Sequence, residues 1–174
     1  MLELRVNSLV ETHAVATAVA AFARGGDLIV LSGEMGAGKT AFAQGFGAAL
    51  GVTEPITSPT FTLVHSYDLP TGVRGADVLH HADLYRLERT TEVSDLALEE
   101  LADGDGIVLV EWGDVVEALF GDHLDVHLEV DDDPDGDLDE LAPPTVRRVE
   151  IAAVGPSWAA RWSRLVEACE AFAC

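Results

Sequence analysis

A chain of 174 residues, 48% hydrophobic and 24% charged, has the apolar content for one packed core, which excludes a disordered tail or a fibrous repeat. Its 31 acidic against 10 basic side chains give a formal net charge of −21, so the surface repels phosphate backbones and is unsuited to gripping nucleic acid or an anionic membrane directly. The opening MLELRVNSLVETH carries charges where a secretion signal needs an apolar run, no apolar stretch is long enough to cross a bilayer, and Cys169 and Cys174 form no disulfide framework, so a cytoplasmic protein is expected.

LELRV (2–6) alternates like a short strand. Residues 9–24 place Thr12, Val15, Val19 and Phe22 at helical spacing and stop at Gly25-Gly26. DLIVL (27–31) is a continuous apolar run, as expected for a strand covered on both faces, and TAFAQGFGAAL (40–50) predicts a helix despite Gly45 and Gly47. SPTFTLVHSY (58–67) is strand-like with Phe61, Leu63, His65 and Tyr67 on one face, and DLPTGVRGAD (68–77) has the composition of a hairpin connection. VLHHADLYRL (78–87) returns as a strand and leads to helical sequence near TEVSDLALEELA, while IVLV (107–110) is a second buried strand ending at Glu111. LDVHLEV (124–130) alternates, DDDPDGDLDELAPP (131–144) predicts a mobile acidic loop, and TVRRVEIAAV (145–154) resumes a strand. Trp158, Trp162, Leu165, Cys169 and Phe172 follow at steps of four and three, predicting an amphipathic helix. Strands alternating with helices argue for one α/β domain spanning 1–174, a central mixed sheet flanked by helices.

Between the first buried strand and its helix lies GEMGAGKT (33–40), which satisfies G-x-x-x-x-G-K-[ST] at every fixed position. Gly33, Gly36 and Gly38 let the backbone approach an anion, with Glu34, Met35 and Ala37 between them. Amide hydrogens then point inward at the positive head of the helix. Lys39, the only lysine in the chain, supplies a point charge to the β- and γ-phosphates, and the Thr40 hydroxyl is a hard oxygen ligand for Mg²⁺. The phosphate chain of a nucleotide, with Mg²⁺, is therefore the expected ligand.

Such a site needs a carboxylate at a neighbouring strand end to hold the cation and organise water. Glu111 after IVLV is the first candidate and Asp83 after VLHHA the second. His81 lies two residues before Asp83 on the same strand face, and because Mg²⁺ prefers oxygen it is expected to orient a ligand rather than be one. His123 and His127 lie along an alternating strand and are not expected to converge on a metal.

The guanine-reading N-K-x-D motif needs a second lysine that the chain lacks, so a Ras-like GTPase is disfavoured. A small-molecule kinase, with Arg86 and Arg89 or Arg147 and Arg148 serving a lid, stays open as an alternative, as does a non-catalytic nucleotide sensor.

Four segments together resemble one family: GEMGAGKTAFAQGFGAALG (33–51), SPTFTLVHSY (58–67), HADLYRL (81–87) and VEWGD (110–114). In order and spacing they are similar to the TsaE (YjeE) family of P-loop ATPases of bacterial tRNA threonylcarbamoyladenosine modification, a resemblance covering most of residues 7–120. It implies an α/β P-loop fold, ATP as the nucleotide, and slow ATP hydrolysis by the chain alone. It further implies partnership with the TsaB–TsaD heterodimer, which completes transfer of threonylcarbamoyl to adenosine 37 of tRNAs reading ANN codons. By position, Gly36 to Thr40 would hold the triphosphate, Thr40 and Glu111 the Mg²⁺, and Asp83 would serve hydrolysis. Thr60 would lie in a switch-like segment beside the γ-phosphate, Trp112 matches the tryptophan after the metal-binding glutamate, and Arg147 or Arg148 would approach the nucleotide. Two departures are an alanine, Ala97, where the family commonly has glycine, and the acidic insert 131–144.

Overall fold

The computed structural model describes residues 1–58, 63–85, 98–103, 105–112, 121–131 and 146–174. Among them, strands β1 (Leu2–Val6), β2 (Leu28–Ser32), β3 (Val64–Val73), β4 (Ala76–Asp83), β5 (Gly106–Glu111), β6 (His123–Val130) and β7 (Arg147–Val154) form one sheet. Their spatial order is β1-β7-β6-β2-β5-β4-β3. The central strands β6, β2, β5 and β4 run parallel, and β7, β1 and β3 attach antiparallel at the two sides. The sheet is therefore mixed, with its most apolar strands in the middle.

Every residue of β2 and β5 is buried, as continuous apolar runs require when both faces are covered. One face carries Ile29, Leu31, Ile107 and Leu109 against helices α1 (Leu9–Phe22) and α2 (Lys39–Leu50), which contribute Val15, Val19, Phe42 and Phe46. The other face, with Leu28, Val30, Val108 and Val110, meets Leu98 and Ala102 of α3 (Leu98–Asp103). Helix α1 begins with reciprocal capping. Glu11 N–H donates to Ser8 Oγ at 3.2 Å, and the Glu11 carboxylate accepts from Asn7 N–H at 2.7 Å. Gly45 is tolerated inside α2 because a Cβ there would stand 2.8 Å from His13 Cα, so the glycine is where α1 crosses closely.

The predicted connection over 68–77 is mostly strand. β3 continues through Pro70 to Val73, and only Arg74 and Gly75 turn the chain into β4. Proline is permitted there because β3 is an edge strand, and the register shifts between Asp68 and Val73. The predicted C-terminal helix is also shorter than its apolar stripe. Trp158 sits in a turn, helix α4 covers Trp162–Ala168, and Glu170–Phe172 is a 3₁₀ turn. Early helix is displaced by Arg161, whose guanidinium donates to Asp27 at 2.6 and 2.8 Å, to Phe22 O at 2.6 Å and to Ser157 O at 2.9 Å. That buried pair ties the C-terminal segment to the entrance of β2, with the guanidinium stacked 4.1 Å from the Trp158 ring.

The acidic segment predicted as a loop lies outside the described residues apart from Asp131. Among the described residues no helix is long and apolar enough to cross a membrane. Both thiols are free. Burial pushes the Cys169 thiol up to about 11, while Cys174 is exposed. Iodoacetamide at pH 8 is therefore expected to label Cys174 alone, with a second adduct only in denaturant. Two adducts on native protein, read by mass spectrometry, would contradict the packing of Cys169.

Candidate functional site

Parallel strands β2, β5 and β4 end at one edge of the sheet, the side where open α/β sheets bind ligands. From β2 the chain turns through Gly33–Gly38 into α2. Gly33 has φ 126°, and a Cβ on it would lie 1.9 Å from Leu128 O of β6, so the loop seats against the sheet only with glycine there. Gly38, at φ 109°, is the N-cap of α2 and sends the chain into the helix, whose first residue is Lys39. Among the described residues no side chain caps that helix start, which leaves its first amides available to an anion.

Lys39 is 4% exposed. Its ammonium donates to Gly33 O at 2.6 Å and Glu34 O at 2.8 Å, and lies 3.6 Å from the centroid of the Trp112 ring. Trp112 holds φ 62°, a left-handed conformation costly for a bulky residue, and its ring is 4.9 Å from that of Tyr85. Behind the loop, Arg147 Nε donates to Ala37 O at 3.0 Å and its NH2 group to Gly36 O at 3.4 Å. Arg148 instead faces Asp131, 4.0 Å away. Of the two candidate arginines, Arg147 touches the loop, through carbonyl oxygens.

Glu111 ends β5 and is 2% exposed. Thr40 Oγ1 lies 3.0 Å from each of its carboxylate oxygens, and His81 Nε2 lies 2.9 Å from Oε1. Asp83 and Glu111 are register partners, so the two carboxylates stand side by side at the sheet edge. The Ser58 hydroxyl donates to Asp83 Oδ2, and Tyr85 N–H donates to Oδ1 at 3.0 Å. A cleft of about 320 Å³ joins these groups, lined by Met35, Gly36 and Gly38 to Ala41 on one side and by Ser58, Asp83, Tyr85, Glu111 and Trp112 on the other.

The arrangement has the electrostatics of a polyphosphate site with a cation. Amides and an ammonium at the helix head attract anions, yet two carboxylates beside them repel one. A divalent cation between carboxylate and phosphate removes that conflict. The nearby side-chain donors Thr40, Glu111, Asp83 and Ser58 all offer oxygen, the set a hard cation such as Mg²⁺ prefers.

The structure brings together Gly33, Glu34, Met35, Gly36, Ala37, Gly38, Lys39, Thr40, Asp83, Glu111 and Arg147; Arg148 is turned away, and Thr60, Arg86 and Arg89 lie outside the described residues. Ser58 and Tyr85 were not singled out from sequence. Ser58 is 25 positions from Asp83, with no local spacing to link them, although both lie in segments that carry the family resemblance. His123 meets Gly121 O at 2.9 Å and His127 meets Ser32 Oγ at 2.9 Å, both away from this cleft.

The family model for threonylcarbamoyl adenosine biosynthesis protein TsaE matches residues 6–137. The tRNA threonylcarbamoyladenosine biosynthesis protein TsaE of Bacillus subtilis is 45% identical over 107 residues, 62% of this chain and 63% of that protein. Its namesake in Streptomyces coelicolor is 38% identical over 138 residues, 78% of this chain and 86% of that one. The aligned stretch thus spans less than two thirds of the Bacillus protein's length. Among solved structures, Bacillus subtilis YdiB superposes with a TM-score of 0.69 at 32% identity, covering 98% of this chain and 94% of the other, which agrees with a P-loop nucleotidase fold.

Proposed function

The chain belongs to the TsaE family, and from that premise we propose that it binds and hydrolyses Mg-ATP in the cleft to drive threonylcarbamoylation of adenosine 37 in tRNAs reading ANN codons. It acts in the cytoplasm on the TsaB–TsaD complex and leaves the acyl transfer to that complex. The observation that carries the reading is the contact between Thr40, at the head of the phosphate-seat helix, and Glu111, at the end of β5.

In this reading the amides after Gly36 and the Lys39 ammonium hold the β- and γ-phosphates. Thr40 and Glu111 would hold Mg²⁺, which when bound would neutralise charge on the phosphates. Asp83, whose two oxygens are fixed by Ser58 and the Tyr85 amide, would serve to position the attacking water. Arg147 keeps the carbonyls of residues 36 and 37 turned outward, so the amides of the loop face the anion. The net charge of −21 fits a protein that reaches tRNA through a protein partner.

Incubation with γ-labelled ATP and Mg²⁺ tests the chemistry. Label is expected in free phosphate, released faster when the TsaB–TsaD complex is added. Label accumulating in a small-molecule acceptor would instead establish a kinase.

A further inference from the structure

His81 contacts the site at a single point, and that point has consequences for which cation the site accepts. The ring is fully buried on β4. Nε2 lies 2.9 Å from Glu111 Oε1, and because a carboxylate only accepts, the proton of this bond sits on Nε2. Nδ1 is buried and has no hydrogen-bond partner among the described residues. A buried imidazole with one nitrogen unpartnered is less stable than an apolar side chain of similar size, so packing alone gives no reason for histidine here. Its polar contact among the described residues is with Glu111.

The bond makes the two oxygens of Glu111 unequal. Oε1 carries the His81 N–H in addition to the Thr40 hydroxyl, whereas among the described residues Oε2 meets Thr40 alone. A fixed N–H donor holds the carboxylate plane and draws electron density from Oε1, leaving Oε2 the better donor to a cation. Binding through one carboxylate oxygen suits Mg²⁺, which is small, octahedral and keeps several waters. Ca²⁺ takes more ligands at longer distances and readily uses both oxygens of one carboxylate.

We infer that His81 is a positioning residue that sets cation choice, holding Glu111 for one-oxygen ligation and so favouring Mg²⁺ over Ca²⁺ beside the bound nucleotide. The inference rests on the Mg-ATP reading above.

Calorimetry with a non-hydrolysable ATP analogue, in EDTA, Mg²⁺ or Ca²⁺, tests it. Wild-type protein is expected to bind the analogue at least tenfold more tightly with Mg²⁺ than with Ca²⁺. In His81→Leu that ratio is expected to fall to threefold or less, with affinity in EDTA within twofold of wild type. In His81→Gln the side-chain amide again offers an N–H to Oε1, and the wild-type ratio is expected to return. A full ratio in His81→Leu, or a collapsed one in His81→Gln, would overturn the role of the N–H. Should His81→Leu not fold, the wild type and His81→Gln still decide, since a ratio below threefold in either overturns the inference. Wild-type protein that binds the analogue without distinguishing the cations refutes only His81. Protein that binds it in no condition refutes the nucleotide reading itself.

Discussion

Replacing Lys39 with alanine is expected to weaken Mg-ATP binding by at least about tenfold, since a hydrogen bond to a charged group is worth about 1.5–3 kcal/mol. The ammonium is already in place in the cleft, 4% exposed and held by Gly33 O and Glu34 O. A phosphate chain bound there would meet a positioned charge rather than a flexible one, and the loss should be seen in affinity. The substitution also leaves those two carbonyls without this donor. A thermal melt is accordingly needed beside the titration, to separate a weakened seat from a loosened loop. Unchanged affinity in a folded variant would contradict the role given to this side chain.

Glu111→Gln is expected to slow phosphate release by at least about 100-fold. A bound metal ion contributes several kcal/mol to transition-state charge stabilisation, and about 1.4 kcal/mol corresponds to each tenfold in rate. Glutamine keeps a carbonyl oxygen to accept from Thr40 and His81, so the strand end and helix head should stay joined. What it removes is the negative charge proposed to hold the cation. Nucleotide affinity in EDTA should therefore not fall, since a charge that repels the phosphates is gone, while turnover collapses. A turnover rate within fivefold of wild type would show that Glu111 serves only as a strand cap.

How far the sequence revealed this site follows from how local each feature is. The loop was legible because glycine, lysine and threonine act within eight consecutive residues, and the buried run IVLV placed Glu111 at a strand end. The pairing of Asp83 with Ser58, and of Arg147 with the carbonyls of residues 36 and 37, joins positions far apart in the chain. No periodicity records such contacts. His81 was expected to orient a ligand, and the structure puts its Nε2 2.9 Å from Glu111, a contact between strands that the sequence of β4 alone does not record. Two of the fold's departures from its sequence pattern lie where tertiary contacts accompany the change. Pro70 stays in a strand because that strand is an edge, and the helix after Trp158 starts late because Arg161 is committed to Asp27.

Lys39 being the only lysine makes one measurement especially direct. Protein grown with ¹⁵N-lysine should give a single backbone amide cross-peak, from the first residue of α2 in the lining of the cleft. If the cleft holds the β- and γ-phosphates, Mg-ATP should move that peak saturably while equimolar adenosine leaves it in place. A peak that stays fixed in folded protein at millimolar Mg-ATP would contradict the phosphate seat and the ATP-driven function built on it.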